Sequence, residues 1–292
     1  MNKLRQLLGK VSLKKGISYL NRFGIDIVHG CQLRCIGCPN STLRPKIQYM
    51  TVDDFETILG NLDITYLKSL RLFNYGEPLL HPNIPDILQK IPKQTYRIRT
   101  VTLLTNAQHH DFPTLREVFR IGVVKELGVS CDGDGTKEDY ERLRPPGKYE
   151  KLIEFLIKAK ELRDRHSPEI ALFTVTISET PEGRKKWTDL LAPLGWTPLF
   201  RHWYTLPGSL KTQIEQPAIV LSKGCRQLHR KYVYVDFDGT VVPCCFYPRP
   251  FELGNLKEQK YSDILKGQQR KSMLKELKTN KENTAVCRTC PF

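Results

Sequence analysis

The chain has 292 residues, 40% hydrophobic and 26% charged, with a formal net charge of +15 and nine cysteines. This is the composition of an ordinary globular protein with enough apolar residues for one large domain, or a domain with an appendage. No apolar run approaches the roughly 18 residues of a membrane span, and the charge excess favours anionic partners over polycations.

Residues 1–22 read as an N-terminal extension. The opening stretch, MNKLRQLLGKVSLKKG, is basic but has no apolar h-region and no small-residue cleavage site, so no signal peptide is expected and the sequence predicts a cytoplasmic protein. In a reducing compartment, grouped cysteines are metal ligands or catalytic thiols more often than disulfides, and an odd count argues against a full disulfide set.

From residue 23 to 205, strand-like runs alternate with helix-like segments. The predicted strands are 23–30, 69–76, 99–106, 125–133, 170–178 and 197–205. All are rich in Val, Ile, Leu, Phe and Thr and nearly continuous, as buried parallel strands are. Between them, Thr51 with Asp54 forms a capping box ahead of Phe55, Ile58, Leu59 and Leu62. Tyr149, Leu152, Ile153 and Leu156 make a second apolar stripe. Thr180-Pro181 gives an N-cap with proline at the first helical position, before Trp187, Leu190, Leu191 and Leu194. Core packing accounts for all three stripes. Six strand–helix units imply parallel strands with right-handed crossovers, too few for a closed eight-stranded barrel but suited to an open one. The fold class is therefore α/β: a partial (β/α)6 barrel over 23–205, followed by a small C-terminal α+β domain over 206–292.

That second part begins with a linker-like run, LPGSLKTQIEQP. Residues 231–245 predict a hairpin turning at Asp238-Gly239. A helical segment over 262–280, interrupted by Gly267, follows, and the chain ends on CRTCPF.

In folds of this class the loops after the strands build the site. Cys31, Cys35 and Cys38 follow the first strand and Gly76-Glu77-Pro78 the second. Thr105-Asn106 follows the third, and Ser130 and Asp132 the fourth. Glu77, a carboxylate between Gly and Pro, has little core role. His202 and Tyr204 alternate at the end of the sixth strand and share a face. Cys131 alternates away from Ser130 and Asp132, into packing. The DGDG run at 132–135 lacks the remaining EF-hand positions and reads as a turn. His29, His81, His109 and His110 are more often structural.

Three thiols spaced four and three apart, with no fourth beside them, leave a coordination position open, where metal chemistry occurs. A zinc site completed by His29 or a distant cysteine is the alternative on residue chemistry alone. An iron–sulfur cubane offers one iron per ligand, so three thiolates leave one iron free to chelate a small molecule.

The C-x3-C-x2-C spacing at the end of a first strand resembles the signature of the radical S-adenosylmethionine (SAM) enzymes. Tyr75-Gly76-Glu77-Pro78 resembles that family's GGEP motif, with Tyr75 in place of the first glycine. Thr105-Asn106, and Ser130 with Asp132, resemble its third- and fourth-strand ends. Gly37 departs from the aromatic residue often found before the last cysteine. Cys225, Cys244, Cys287 and Cys290 resemble the start of the SPASM cysteine pattern, in a shortened twitch-like form with room for one auxiliary cluster. A four-cysteine zinc ribbon is the alternative on spacing alone.

The resemblance implies two 4Fe–4S clusters, S-adenosyl-L-methionine as cofactor, and an electron donor such as flavodoxin or ferredoxin. Reductive cleavage of SAM would yield a 5'-deoxyadenosyl radical that takes hydrogen from a small-molecule substrate, a sugar, cyclitol or related metabolite. The positive charge favours an anionic one. Epimerisation follows if Cys245 returns a hydrogen, dehydrogenation if the auxiliary cluster takes an electron. Cys245 is equally read as packing or as an alternative ligand. A peptide-modifying enzyme is a second reading. A non-catalytic zinc or iron–sulfur redox sensor or nucleic-acid-binding protein is a third, but the sequence carries no nucleic-acid motif.

Overall fold

The computed structural model describes residues 19–202, 231–279, 284, 286, 287 and 290. The chain enters through β1 (Tyr19–Leu20) and β2 (Arg22–Ile25), and β3 (Val28–His29) pairs antiparallel with β4 (Gln48–Tyr49) as a separate hairpin. The short α1 (Asn40–Leu43) lies between these two strands. Then come α2 (Val52–Gly60), β5 (Tyr66–Arg71), α3 (Ile84–Lys90), β6 (Arg97–Thr105), α4 (Phe112–Ile121) and β7 (Glu126–Asp132). Helices α5 (Lys137–Leu143) and α6 (Tyr149–His166), strand β8 (Ala171–Ile177), α7 (Pro181–Leu191) and β9 (Thr197–Arg201) complete this half. Strands β2, β5, β6, β7, β8 and β9 pair in that order, all parallel. The sheet has two ends and does not close, so the six units form a partial barrel.

Alternation along the strands sorts the residues into two faces. Phe23, Leu70, Val101, Leu103, Leu127 and Val129 are buried against the helices. There they meet Phe55, Ile58 and Leu59 of α2, Leu115, Val118 and Phe119 of α4, and Leu152, Phe155 and Leu156 of α6. Polar positions such as Arg22, Arg71, Thr102 and Glu126 stand out from that core. The caps form as their residues dictate: the Thr51 side chain accepts from the Asp54 N–H, and that of Thr180 from the Gly183 N–H.

The hairpin over 231–245 is present as β10 (Tyr232–Val235) and β11 (Thr240–Val242), turning at Gly239 with φ +88°. Its first strand pairs in parallel with β2. The sheet thus runs on through β10 and β11 to β12 (Gly254–Asn255). The helical segment divides at Gly267 into α8 (Tyr261–Lys266) and α9 (Gln268–Thr279). The linker-like run, Tyr204 and Cys225 lie outside the described residues. Among the described residues, no helix is long and apolar enough to cross a membrane.

Two strands stop short of their predicted ends, for one reason. The run 23–30 breaks at Asp26, and 69–76 ends at Arg71. Asp26 turns its carboxylate onto the bend after β5, accepting from the N–H groups of Asn74 at 2.7 Å and of Tyr75 and Gly76 at 3.1 Å. Those donors belong to the bend instead of a ladder.

Candidate functional site

The loops at the C-terminal ends of β2, β5, β6 and β7 enclose one cavity of about 260 Å³. Its walls include Cys31, Cys35, Cys38, Gly76, Glu77, Thr105, Asn106, Ser130, Asp132 and Arg144. The four strand ends singled out in the sequence are therefore brought together. The cysteine loop is held by backbone bonds from Arg34 N–H to the Pro145 carbonyl and from Ile36 N–H to the Leu143 carbonyl. A close turn, Cys38 N–H to Cys35 C=O at 3.1 Å, sets the last two thiols side by side. Gly37 holds φ +84°, which glycine adopts without strain.

The turn after β5 packs tightly. A side chain at residue 76 would place its Cβ 1.7 Å from the Val28 carbonyl oxygen, so only glycine fits. Its partner Tyr75 reaches across with its hydroxyl to the Cys245 carbonyl at 2.7 Å, and Asn40 donates to the Tyr75 carbonyl. Glu77 is buried, which pushes its carboxyl up. It accepts from the Thr105 hydroxyl and the Asn106 N–H, both at 2.7 Å, and from Leu79 N–H at 3.1 Å. It thereby ties the second strand end to the third. Pro78, expected beside the cofactor, is buried at the start of a 3-10 turn and is not a wall residue of this cavity.

Asn106 Nδ2 lies 3.2 Å from Cys31 Sγ and from Gln32 Oε1. Burial pushes the Cys31 thiol up to about 12 and Cys38 to about 11, and raises Cys35 as well; Arg144 opposes the rise at all three. Metal binding takes them as thiolates and releases their protons. Arg144 pairs with Asp132 through Nη1, both side chains under a tenth exposed, while its Nε is buried without a partner among the described residues.

Neither Arg144 nor Asp26 was singled out from the sequence. Asp26 had a readable signal, a carboxylate inside the apolar run IDIV. Arg144 had none, since nothing in RLRPP distinguishes it from a surface arginine.

Other candidates fall elsewhere. His202 is exposed, with Nδ1 3.5 Å from Glu179 Oε2, and is not a wall residue of the cavity. His81 bonds the Met50 carbonyl and the Asn83 N–H, a structural role. His29 stacks on Phe237 at 4.5 Å. Cys131 is fully buried in the core, where alternation directed it. Asp134 accepts from the N–H and hydroxyl of Thr136, making the DGDG run a turn.

In the C-terminal part, Cys244, Cys287 and Cys290 are half-buried. Cys290 N–H closes a turn onto the Cys287 carbonyl at 3.2 Å, the geometry of a C-x2-C knuckle. Cys245 is half-buried beside the Tyr234 hydroxyl, and burial raises its thiol.

Residues 25–191 match the family profile of the radical SAM superfamily, and residues 225–291 match SPASM, an iron-sulfur cluster-binding domain. The first match covers more than half of the chain, which belongs to the radical SAM superfamily. A segment of 99 residues is 32% identical to the GTP 3',8-cyclase of Chlorobaculum tepidum; it spans 32% of this chain and 29% of the cyclase. Among solved structures, anSMEcpe with bound AdoMet superposes at TM-score 0.64, with 15% identity over 92% of this chain and 88% of its own. BtrN in an open conformation superposes at 0.54, with 15% identity over 93% and 92%. SuiB of Streptococcus suis, bound to S-adenosylmethionine, superposes at 0.57, with 14% identity over 87% and 67%.

The radical SAM domain of this chain binds a 4Fe–4S cluster and SAM, and its SPASM domain binds auxiliary iron–sulfur. Enzymes of this superfamily act on a substrate and need an electron donor. The donor set fits: three thiols on one loop face one cavity, with a buried cation beside them. Among the described residues no three His, Cys, Asp or Glu side chains form a group fit to hold a metal ion. A cubane asks for something different, because its thiolates bind separate corners.

Proposed function

We propose that this chain is a radical SAM oxidoreductase or epimerase acting on a small molecule. In this reading Cys31, Cys35 and Cys38 hold the SAM-side cluster, and Cys225, Cys244, Cys287 and Cys290 hold an auxiliary one in a second domain over 206–292. When bound, the first cluster supplies the electron that divides SAM into methionine and a 5'-deoxyadenosyl radical. The observation that carries the reading is the meeting of three half-buried thiols with Asn106, Ser130, Asp132 and Arg144 in one cavity.

The chain's own residues divide the remaining work. Arg144, with one arm on Asp132 and a buried Nε unpartnered among the described residues, offers a donor to the carboxylate of SAM. Gly76 lets its turn pack against Val28, which sets the backbone offered to the cofactor's amino end. Glu77 fixes Thr105 and Asn106 in place, so it is a positioning residue. Asn106 donates toward Cys31 and steadies that thiolate. Ser130 faces the cavity where a ribose would lie. A sheltered site of this kind keeps water and stray quenchers from the radical.

Cys245 is assigned as the hydrogen donor, its thiyl radical then regaining an electron from the enzyme's electron donor and a proton from solvent, which favours epimerisation over dehydrogenation. Its support is the Tyr75–Cys245 hydrogen bond, which pins the thiol-bearing loop to the turn at Gly76. The test is turnover of candidate sugars and cyclitols in deuterated water. Epimerisation through Cys245 places solvent deuterium at the inverted carbon, and Cys245→Ala abolishes the epimer while SAM cleavage continues. Product oxidised by two electrons without deuterium assigns dehydrogenation instead.

A further inference from the structure

A second cavity, of about 570 Å³, lies along the same strands, from Arg22 and Glu126 at the first residues of β2 and β7 to Arg71 at the last residue of β5. Its walls carry four cations, Arg22, Lys68, Arg71 and Arg99, against a single carboxylate, Glu126. Glu126 is partly engaged, since its Oε2 accepts from the Thr102 hydroxyl at 2.7 Å.

Arg71 is the most telling member. It is half-buried, and its Nε is fully buried without a hydrogen-bond partner among the described residues. A buried guanidinium donor without a partner destabilises the fold, and an arriving acceptor would remove that cost. Burial first, and then the neighbouring Arg22, hold the Arg71 guanidinium below its ordinary value. The Arg22 guanidinium lies 4.4 Å over the centre of the Tyr232 ring, and both residues line the cavity.

The two cavities are neighbours. Arg71 lines the basic one and Phe73, two residues further on, the cysteine one. Cys245 adjoins the cysteine-side wall: its carbonyl accepts from the hydroxyl of Tyr75, a residue of that wall, at 2.7 Å.

We propose that this basic cavity holds the phosphate or carboxylate of the enzyme's small-molecule substrate, gripped by Arg71 and Arg22, so that its carbon skeleton extends past Cys245 toward the cysteine-side cavity. The proposal rests on the radical SAM reading above, whose substrate it narrows to an anion.

The test is calorimetric titration of the anaerobic holoenzyme with inorganic phosphate and, separately, with succinate. Saturable binding of one of them is expected, and which one binds identifies the group. Arg71→Gln should weaken that binding about tenfold or more, the worth of a charge-assisted hydrogen bond. Glu126→Gln should tighten it about threefold, because a like charge leaves the cavity while the acceptor for Thr102 stays. Misfolding cannot produce these opposite signs together. Absence of saturable binding to the wild type overturns the proposal, as does affinity indifferent to either substitution. SAM cleavage by the wild-type protein is assayed in parallel. Cleavage without anion binding rejects the basic cavity alone, and anion binding without cleavage rejects the reaction class alone.

Discussion

Two buried carboxylates organise the site. Glu77 binds the second strand end to the third, and Asp26 gathers three backbone N–H groups of the turn that presents Gly76. Burial outweighs those donors at Asp26 and pushes its carboxyl up to about 7. The folded chain therefore keeps a proton on Asp26 that the unfolded chain releases near its ordinary value of 3.8. The stability this contributes is full below that ordinary value and is lost as pH rises through about 7. Chemical denaturation of the wild type should give lower stability at about pH 8 than at about pH 5, and Asp26→Asn should narrow the difference; an unchanged difference would assign it to other groups. Arg144 and Asp132 form the opposite case, a buried ion pair with side-chain exposures of 9% and 8%. Arg144→Met leaves a buried carboxylate unpaired and should cost about 3–5 kcal/mol. The double variant Asp132→Asn/Arg144→Met should recover part of that loss in the same unfolding measurement, because no orphan charge remains.

At the level of elements, local chemistry was legible wherever it acted alone. The cap at Thr51, the proline-first helix after Thr180, the turn at Asp238-Gly239 and the break at Gly267 all stand where their residues place them. Thr51→Ala should cost about 1 kcal/mol of stability, readable as a lower melting temperature, because the Asp54 N–H loses its acceptor. What the sequence could not display is long-range compensation. Residues 74–76 read as the end of a strand, yet they leave the sheet because Asp26, 48 to 50 positions earlier, takes their N–H groups. Residues 231–235 read as half of an isolated hairpin, yet β10 also joins the barrel sheet along β2. Four strand ends converge as alternation and crossover handedness require. The side chains that complete the cavity, Arg144 above all, came only from the packing of α5 and its following loop against the cysteine loop.

For the whole molecule, the parallel sheet gathers the cysteine loop at the C-terminal ends of its strands, while four cations line a second cavity along the same strands. In the proposed reading the first is the place of reductive cleavage and the second holds the substrate, and the surplus of positive charge suits an anionic one. The membership of the chain in the radical SAM superfamily gives the reaction class; the residues assigned to its two clusters are the part that experiment must decide. The most direct measurement is 5'-deoxyadenosine formed by anaerobically reconstituted, reduced protein incubated with SAM, for the wild type and for Cys35→Ala. The account predicts 5'-deoxyadenosine and methionine in equal amounts from a brown wild-type protein holding about eight irons. Cys35→Ala should form none and retain about half the iron. Undiminished cleavage by Cys35→Ala, or a wild-type protein that binds SAM yet yields no 5'-deoxyadenosine under reduction, would contradict it.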